Sequence, residues 1–245
     1  MKTKAKPNGV ENRISTLTTN TPETTHYTFE IPKDVNAVLT ARIVGTAPIV
    51  FNRFSARKRD EVLSTQTGET QRKKKRGAKD VDALFLDSLH VIGPPIRTLS
   101  DLKKAEIGIQ SIAIKSAMVR AAELNGERMV RARGLFFVEN DGRTQEDGYQ
   151  LIRLVDYTTP RMHQAAVRQQ TSIDIRIRAI VDEWAAIVRI RFNPEWVQPQ
   201  SVYTWLRDAG SSVGICEMRP IGRSSTGDMG TWKIESAEVE MPKKA

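Results

Sequence analysis

Apolar and polar residues alternate most cleanly over residues 36–44, where Ala37, Leu39, Ala41 and Ile43 interleave with Val38, Thr40, Arg42 and Val44. A period of two with β-branched content predicts a strand. Pro48, ahead of Ile49, Val50 and Phe51, ends or bulges it. The period changes over 111–124, SIAIKSAMVRAAEL, where Ile114, Ala117, Met118, Ala121 and Leu124 share a helical face and Asn125-Gly126 supplies the stop. Alternation then returns. Residues 129–139 and 149–157 read as strands joined by the turn-rich Asn140-Asp141-Gly142, and 172–181 with 185–192 read as a hairpin. A second helix is predicted over 200–209, behind Pro199, with Val202, Trp205 and Leu206 on one side and Gly210 closing it. A glycine-punctuated loop, 211–230, precedes a last strand at 231–239.

Between these elements the patterning is weaker. Residues 1–33, rich in Thr, Asn, Lys and Pro, bury too little to offset the entropy of ordering and read as a flexible tail. Residues 53–79 carry two basic clusters around a polar centre and read as an extended, mobile excursion. A short amphipathic helix follows at 81–89, then an irregular stretch from Gly93-Pro94-Pro95 to Gly108. The order β-α-β-β-β-β-α-β predicts an α+β fold: two main helices against one antiparallel sheet, ferredoxin-like or RRM-like, with a long basic insertion. The expected organisation is one domain over 34–245 carrying that insertion at 53–108.

Composition narrows the function classes. The 245 residues hold 38 Lys+Arg against 29 Asp+Glu, a formal net charge of +9, and the pI of 9.8 lies in the range where a basic domain points to nucleic acid. No window approaches the roughly 18 apolar residues of a membrane span, and the lysines near the start have no apolar run behind them, so a cytoplasmic location is expected. Cys216 stands alone, which excludes an intramolecular disulfide and a thiolate metal site; His26, His90 and His163 lack metal-ligand spacing. No cofactor is expected.

Three features could carry binding chemistry. In the 172–192 hairpin, alternation puts Arg176 and Arg178 on one face, and Arg189 and Arg191 on the matching face of the partner strand. Four guanidinium groups on one ribbon suit an anionic partner, and equally an ordinary solvated face. The excursion presents Arg53, Arg57, Lys58 and Arg59, then Arg72, Lys73, Lys74, Lys75 and Arg76, a set of cations that can neutralise phosphates and release counterions. The loop VGICEMRPIGRSSTGDMGTW combines four glycines with Arg219 and Arg223, which could clamp a phosphate; it matches neither a Walker A nor a Rossmann spacing. Catalytic constellations are poor: His163 with Asp156 is the one acid–base pair that can be drawn, and His163 reads as a surface-loop residue. The four tryptophans read as core or hairpin anchors.

The order of features resembles the RAMP superfamily, in particular the Cas7-like backbone subunits of CRISPR effector complexes. The resemblance rests on the opening strand and turn ARIVGTAPIVFNRF, the small-residue helix IQSIAIKSAMVRAA with its embedded lysine, and the C-terminal GICEMRPIGRSSTGDMG. The chain is also similar to phage proteins that end in a Gly-x-x-x-x-Arg-Pro loop before a last strand. The resemblance implies that Ser111, Lys115 and Ser116 contact a nucleic-acid backbone and that the loop around Arg219, Arg223 and Gly227 lies close to it. Here the family's Ser-Ser-Leu-Lys-Gly run is replaced by Ile112-Ala113-Ile114-Lys115-Ser116, so the lysine is the residue carried over. The expected function is non-enzymatic binding of RNA or single-stranded DNA through phosphate contacts, with copies of the chain or other subunits as further partners and no membrane. Two other readings remain open: a phage or mobile-element structural and assembly protein, and a metal-independent RAMP-type ribonuclease that depends on His163.

Overall fold

The computed structural model describes residues 16–17, 26–27, 35–67, 80–169, 172–222 and 227–242. Most of the expected tail, the cations Arg72, Lys73, Lys74, Lys75 and Arg76, and Arg223 lie outside the described residues. The chain divides into a small unit, Met1–Val35 with Lys244–Ala245, and a large one, Asn36–Lys243. In the first, β1 (Thr16–Leu17) pairs antiparallel with β2 (His26–Tyr27).

The large unit is mixed α+β and is built on an eight-stranded sheet. Its main run has the order β13 (Trp232–Glu240), β3 (Ala37–Gly45), β12 (Trp184–Phe192), β9 (Gln150–Tyr157), β6 (Glu106–Gln110), β5 (Val91–Ile92), and β7 (Phe136–Val138) and β8 (Gly142–Arg143) are attached to β12 and β9. β3 (Ala37–Gly45) keeps its alternation, with Ala37, Leu39, Ala41 and Ile43 buried. It lies between β12 (Trp184–Phe192) and β13 (Trp232–Glu240), antiparallel to both. β9 (Gln150–Tyr157) flanks β12 on the other side, and β6 (Glu106–Gln110) and β5 (Val91–Ile92) continue the sheet. Two helices cover one face. α3 (Ser111–Leu124) buries Ile114, Ala117, Met118, Ala121 and Ala122, while Leu124 is exposed. It stops as the composition requires: Gly126 takes φ +88°, and Glu127 N donates to Ala122 O at 2.9 Å. α5 (Pro199–Asp208) turns Val202, Trp205 and Leu206 inward and runs on through a π-turn, Ala209–Val213, to Gly214.

A second, three-stranded sheet has the order β10-β11-β4. β10 (Arg161–Gln169) and β11 (Ser172–Val181) form a long ribbon, and β4 (Ile49–Val50) joins the base of β11. The expected hairpin between 172–181 and 185–192 does not form. Its two strands belong to different sheets, because β12 is already paired with β3 along one edge and with β9 and β7 (Phe136–Val138) along the other, leaving no edge for β11. The connecting peptide is held instead by Thr158 Oγ1, which accepts from the backbone N–H groups of Asp182 and Glu183, both at 3.1 Å.

Three further expectations are corrected. Residues 129–139 are not one strand: α4 (Met129–Leu135) comes first, since Met129, Ala132 and Leu135 at helical spacing all meet the core while Val130 is 79% exposed. The excursion after Arg53 opens with a capped helix, α1 (Ala56–Gln66), whose Ser55 Oγ accepts from Lys58 N. The irregular stretch before α3 contains β6, which Gly108 lets lie flat against Ile152: a Cβ there would come within 2.8 Å of the Ile152 carbonyl oxygen. α2 (Val81–Asp87) forms where amphipathicity placed it, capped by Asp80. β8 (Gly142–Arg143) completes the set. Among the described residues, no helix is long and apolar enough to cross a membrane.

Candidate nucleic-acid interface

The face of the main sheet opposite α3 and α5 is open, and its outward positions follow from the strand register. Along β12, Ile187, Arg189 and Arg191 are exposed while Val188, Ile190 and Phe192 are buried, so two of the four arginines expected on one ribbon do share a face. Most cations on this face are already neutralised. Arg42 bridges Asp156 and Glu235 at 2.6 Å each, Arg153 meets Glu106 at 3.0 Å, and Arg189 meets Glu139 at 3.3 Å. Such exposed pairs contribute little to stability, yet they cancel the field that a bare guanidinium row would create.

Arg191 is not among them. It has no ionic partner among the described residues; its guanidinium carbon lies 5.8 Å from the ring centroid of Phe137. Phe137 is its cross-strand neighbour, on β7, and the pleat turns the ring outward while Phe136 beside it is fully buried. The ring is 49% exposed. From α3, the Lys115 ammonium reaches to 4.4 Å from the same centroid. Burial pulls the Lys115 ammonium below the usual lysine range. An exposed aromatic ring with two cations beside it offers a base a stacking surface and its flanking phosphates two positive partners. Lys115 and Arg191, singled out from separate stretches of sequence, are thus brought together, and Phe137 was not foreseen. The signal was present in the Phe-Phe doublet, which in any extended segment sends one ring in and one out.

The other expected site residues scatter. Ser111 is buried at the start of α3, and Ser116 is exposed on it. Arg53, expected to be a mobile contact, is buried. Its guanidinium donates to Asp147 at 2.8 Å and Glu146 at 2.9 Å, which are joined by Arg59 at 3.1 Å and Arg97 at 2.7 Å. This network ties the start of α1 to the loop after β8. Lys58 is exposed on α1, and the Arg57 side chain lies outside the described residues. Arg176 is exposed on β11 and Arg178 is buried, both on a different sheet from the β12 arginines. Arg219 is not an available clamp, because it folds back on its own loop, donating from Nε to Ile221 O at 3.0 Å and from Nη1 to Cys216 O at 2.7 Å. Gly227 lies against the Met218 backbone, where a Cβ would collide with the carbonyl.

His163 is a strand residue of β10, paired in register with Arg178, and not a loop residue. Asp156 lies on β9, bound to Arg42, so the two are not an acid–base pair. Trp184, Trp205 and Trp232 are core residues, but Trp196 is 63% exposed. No family model and no curated protein matches the chain.

Proposed function

We propose that this protein binds single-stranded nucleic acid, RNA or DNA, without acting on it chemically. The observation that carries this reading is the convergence of Lys115, from α3, and Arg191, from β12, on the exposed ring of Phe137. Stacking supplies affinity without demanding one sequence, and the two cations hold the backbone on either side of the stacked base. The net charge of +9 adds a long-range attraction that speeds encounter.

The finer fold reading belongs to the same proposal. The segment β3-α3-β9-β12-α5-β13, with sheet order β13-β3-β12-β9, supports a ferredoxin-like or RRM-like core elaborated by insertions. Together with the sequence resemblance, that order favours a Cas7-like subunit that lines up in copies along a strand. β10 and β13 each keep one edge unpaired among the described residues, which leaves backbone groups for a neighbouring copy.

Filter binding of unstructured rU and dT oligonucleotides over a series of salt concentrations tests the proposal. Affinity is expected at low salt for both, falling linearly on logarithmic axes. Absence of binding at low salt refutes the reading.

A further inference from the structure

Two arginines of the described residues are buried, each 6% exposed, and they are satisfied very differently. Arg53 is enclosed by carboxylates. Arg178 has Glu217 as its ionic partner, at 3.5 Å from Nη1, and its Nε, shielded from solvent, has no acceptor among the described residues. Burial and the nearby charge of Arg176 lower its pKa against the pull of Glu217. Directly across the ladder, His163 Nδ1 is likewise shielded and without a partner among the described residues. A buried guanidinium with a loose partner is an incomplete site, since removing a charge from water is compensated only by close, directed acceptors.

Glu217 is held there by a strained turn. Its N–H donates to Val50 O at 3.1 Å and its Oε1 accepts from Asn52 Nδ2 at 2.5 Å. The residues on either side, Cys216 and Met218, take φ +62° and +58°, a region L side chains rarely adopt. The carboxylate remains partly in contact with solvent, so it can swing out, whereas Arg178 is fixed within β11.

We propose that Arg178 anchors an oxyanion site of the phosphate class, which Glu217 fills in the free protein. An incoming phosphate brings more acceptor oxygens than a carboxylate and can satisfy Nε and Nη together, with Asn52 Nδ2 as a further donor. It displaces Glu217, and the strained 216–218 turn relaxes with it. No bond is made or broken; one anion exchanges for another. The site lies on the second sheet and stands whether or not the Phe137 ring binds bases.

The test uses the full chain with Glu217→Gln, which keeps the contact to Asn52 and removes the competing charge. Its thermal midpoint is followed against inorganic phosphate at ionic strength held constant with sodium chloride. The variant is expected to respond at a phosphate concentration about tenfold lower than the wild type, the gain disappearing when Arg178→Lys is added, because lysine lacks the planar fork. A response equal to the wild type's, or the same rise with chloride alone, overturns the proposal. Should Glu217→Gln not fold, Glu217→Asp withdraws the carboxylate by one methylene and shifts the response the same way. A dT oligonucleotide lacking terminal phosphates identifies the source: a parallel gain in its affinity assigns the phosphate to a strand, and a gain for inorganic phosphate alone assigns it to a free one. Loss of oligonucleotide binding in a Phe137→Ala variant reports on the ring and leaves this phosphate response unchanged.

Discussion

The ammonium of Lys115 lies 4.4 Å from the centroid of the Phe137 ring, although the two residues belong to different elements and are separated by the whole of α4. Helix α3 supplies the cation and the short strand β7 supplies the ring. Because Arg191 meets the same ring from β12, one exposed aromatic on β7 gathers charge from two other elements.

Replacing Phe137 with Ala should weaken binding of single-stranded oligonucleotides by about tenfold, the scale of one lost base stack at ~1–3 kcal/mol. The folded protein should be nearly unaffected, since half of the ring is already in water. Filter binding together with a denaturation curve separates the two effects, and equal affinity in the variant would remove the ring from the interface.

Lys115→Met and Arg191→Met remove charge and keep side-chain length. Each should lower affinity for all sequences alike and reduce the slope of log K against log salt by about one. Arg189→Met should change the slope less, because Glu139 already neutralises that guanidinium. A titration at four salt concentrations distinguishes the three variants.

Asp147→Asn should destabilise the protein by about 2 kcal/mol, less than a fully broken buried pair, because it removes the buried carboxylate and leaves Glu146 alone to compensate the Arg53 charge. Urea denaturation reads this directly. Substituting both residues with apolar groups of similar volume should recover most of the loss, which a structural network predicts and a ligand-binding one does not.

His90 gives the protein a pH dependence. Burial, with a smaller push from the Arg53 charge and against the pull of Asp147, lowers its pKa to about 4. The unfolded chain therefore binds the proton first, near pH 6.5, while the folded protein stays neutral at this position. Stability contributed by neutral His90 is present above pH 6.5 and lost as the pH falls toward 4, by about 3 kcal/mol in all. Unfolding curves between pH 4 and 7 should show this slope flattened in His90→Phe, and an unchanged slope would reject it.

Much of the local structure was legible from periodicity. The boundaries of α3 and the alternation of β3 follow from short-range rules, because the same residues that set the period also make the buried face. α5 was found in the same way, from Val202, Trp205 and Leu206. Residues 161–169 were missed as a strand since RMHQAAVRQ has no alternation to read; β10 is extended because it pairs with β11, not because its own sequence demands it. The candidate site was legible in part. Lys115 was picked out by the family resemblance and Arg191 by strand alternation, but their meeting at Phe137 depends on how α3, β7 and β12 pack.

By itself the sequence determined that this is a basic α+β chain, where α3 and α5 begin and end, and which faces of β3, β12, α3 and α5 are apolar. These properties depend on neighbours within a turn of helix or a few residues of strand. Only the tertiary structure decided that β11 and β12 part into separate sheets, that Arg53 and Arg178 go inside while Arg176 and Arg191 stay out, and that Arg219 closes on its own loop. Strand partners lie as far apart as Val38 and Glu240, and the ion pair of Arg42 with Glu235 spans 193 positions; the choice among partners is made by which edges and carboxylates the rest of the fold leaves available.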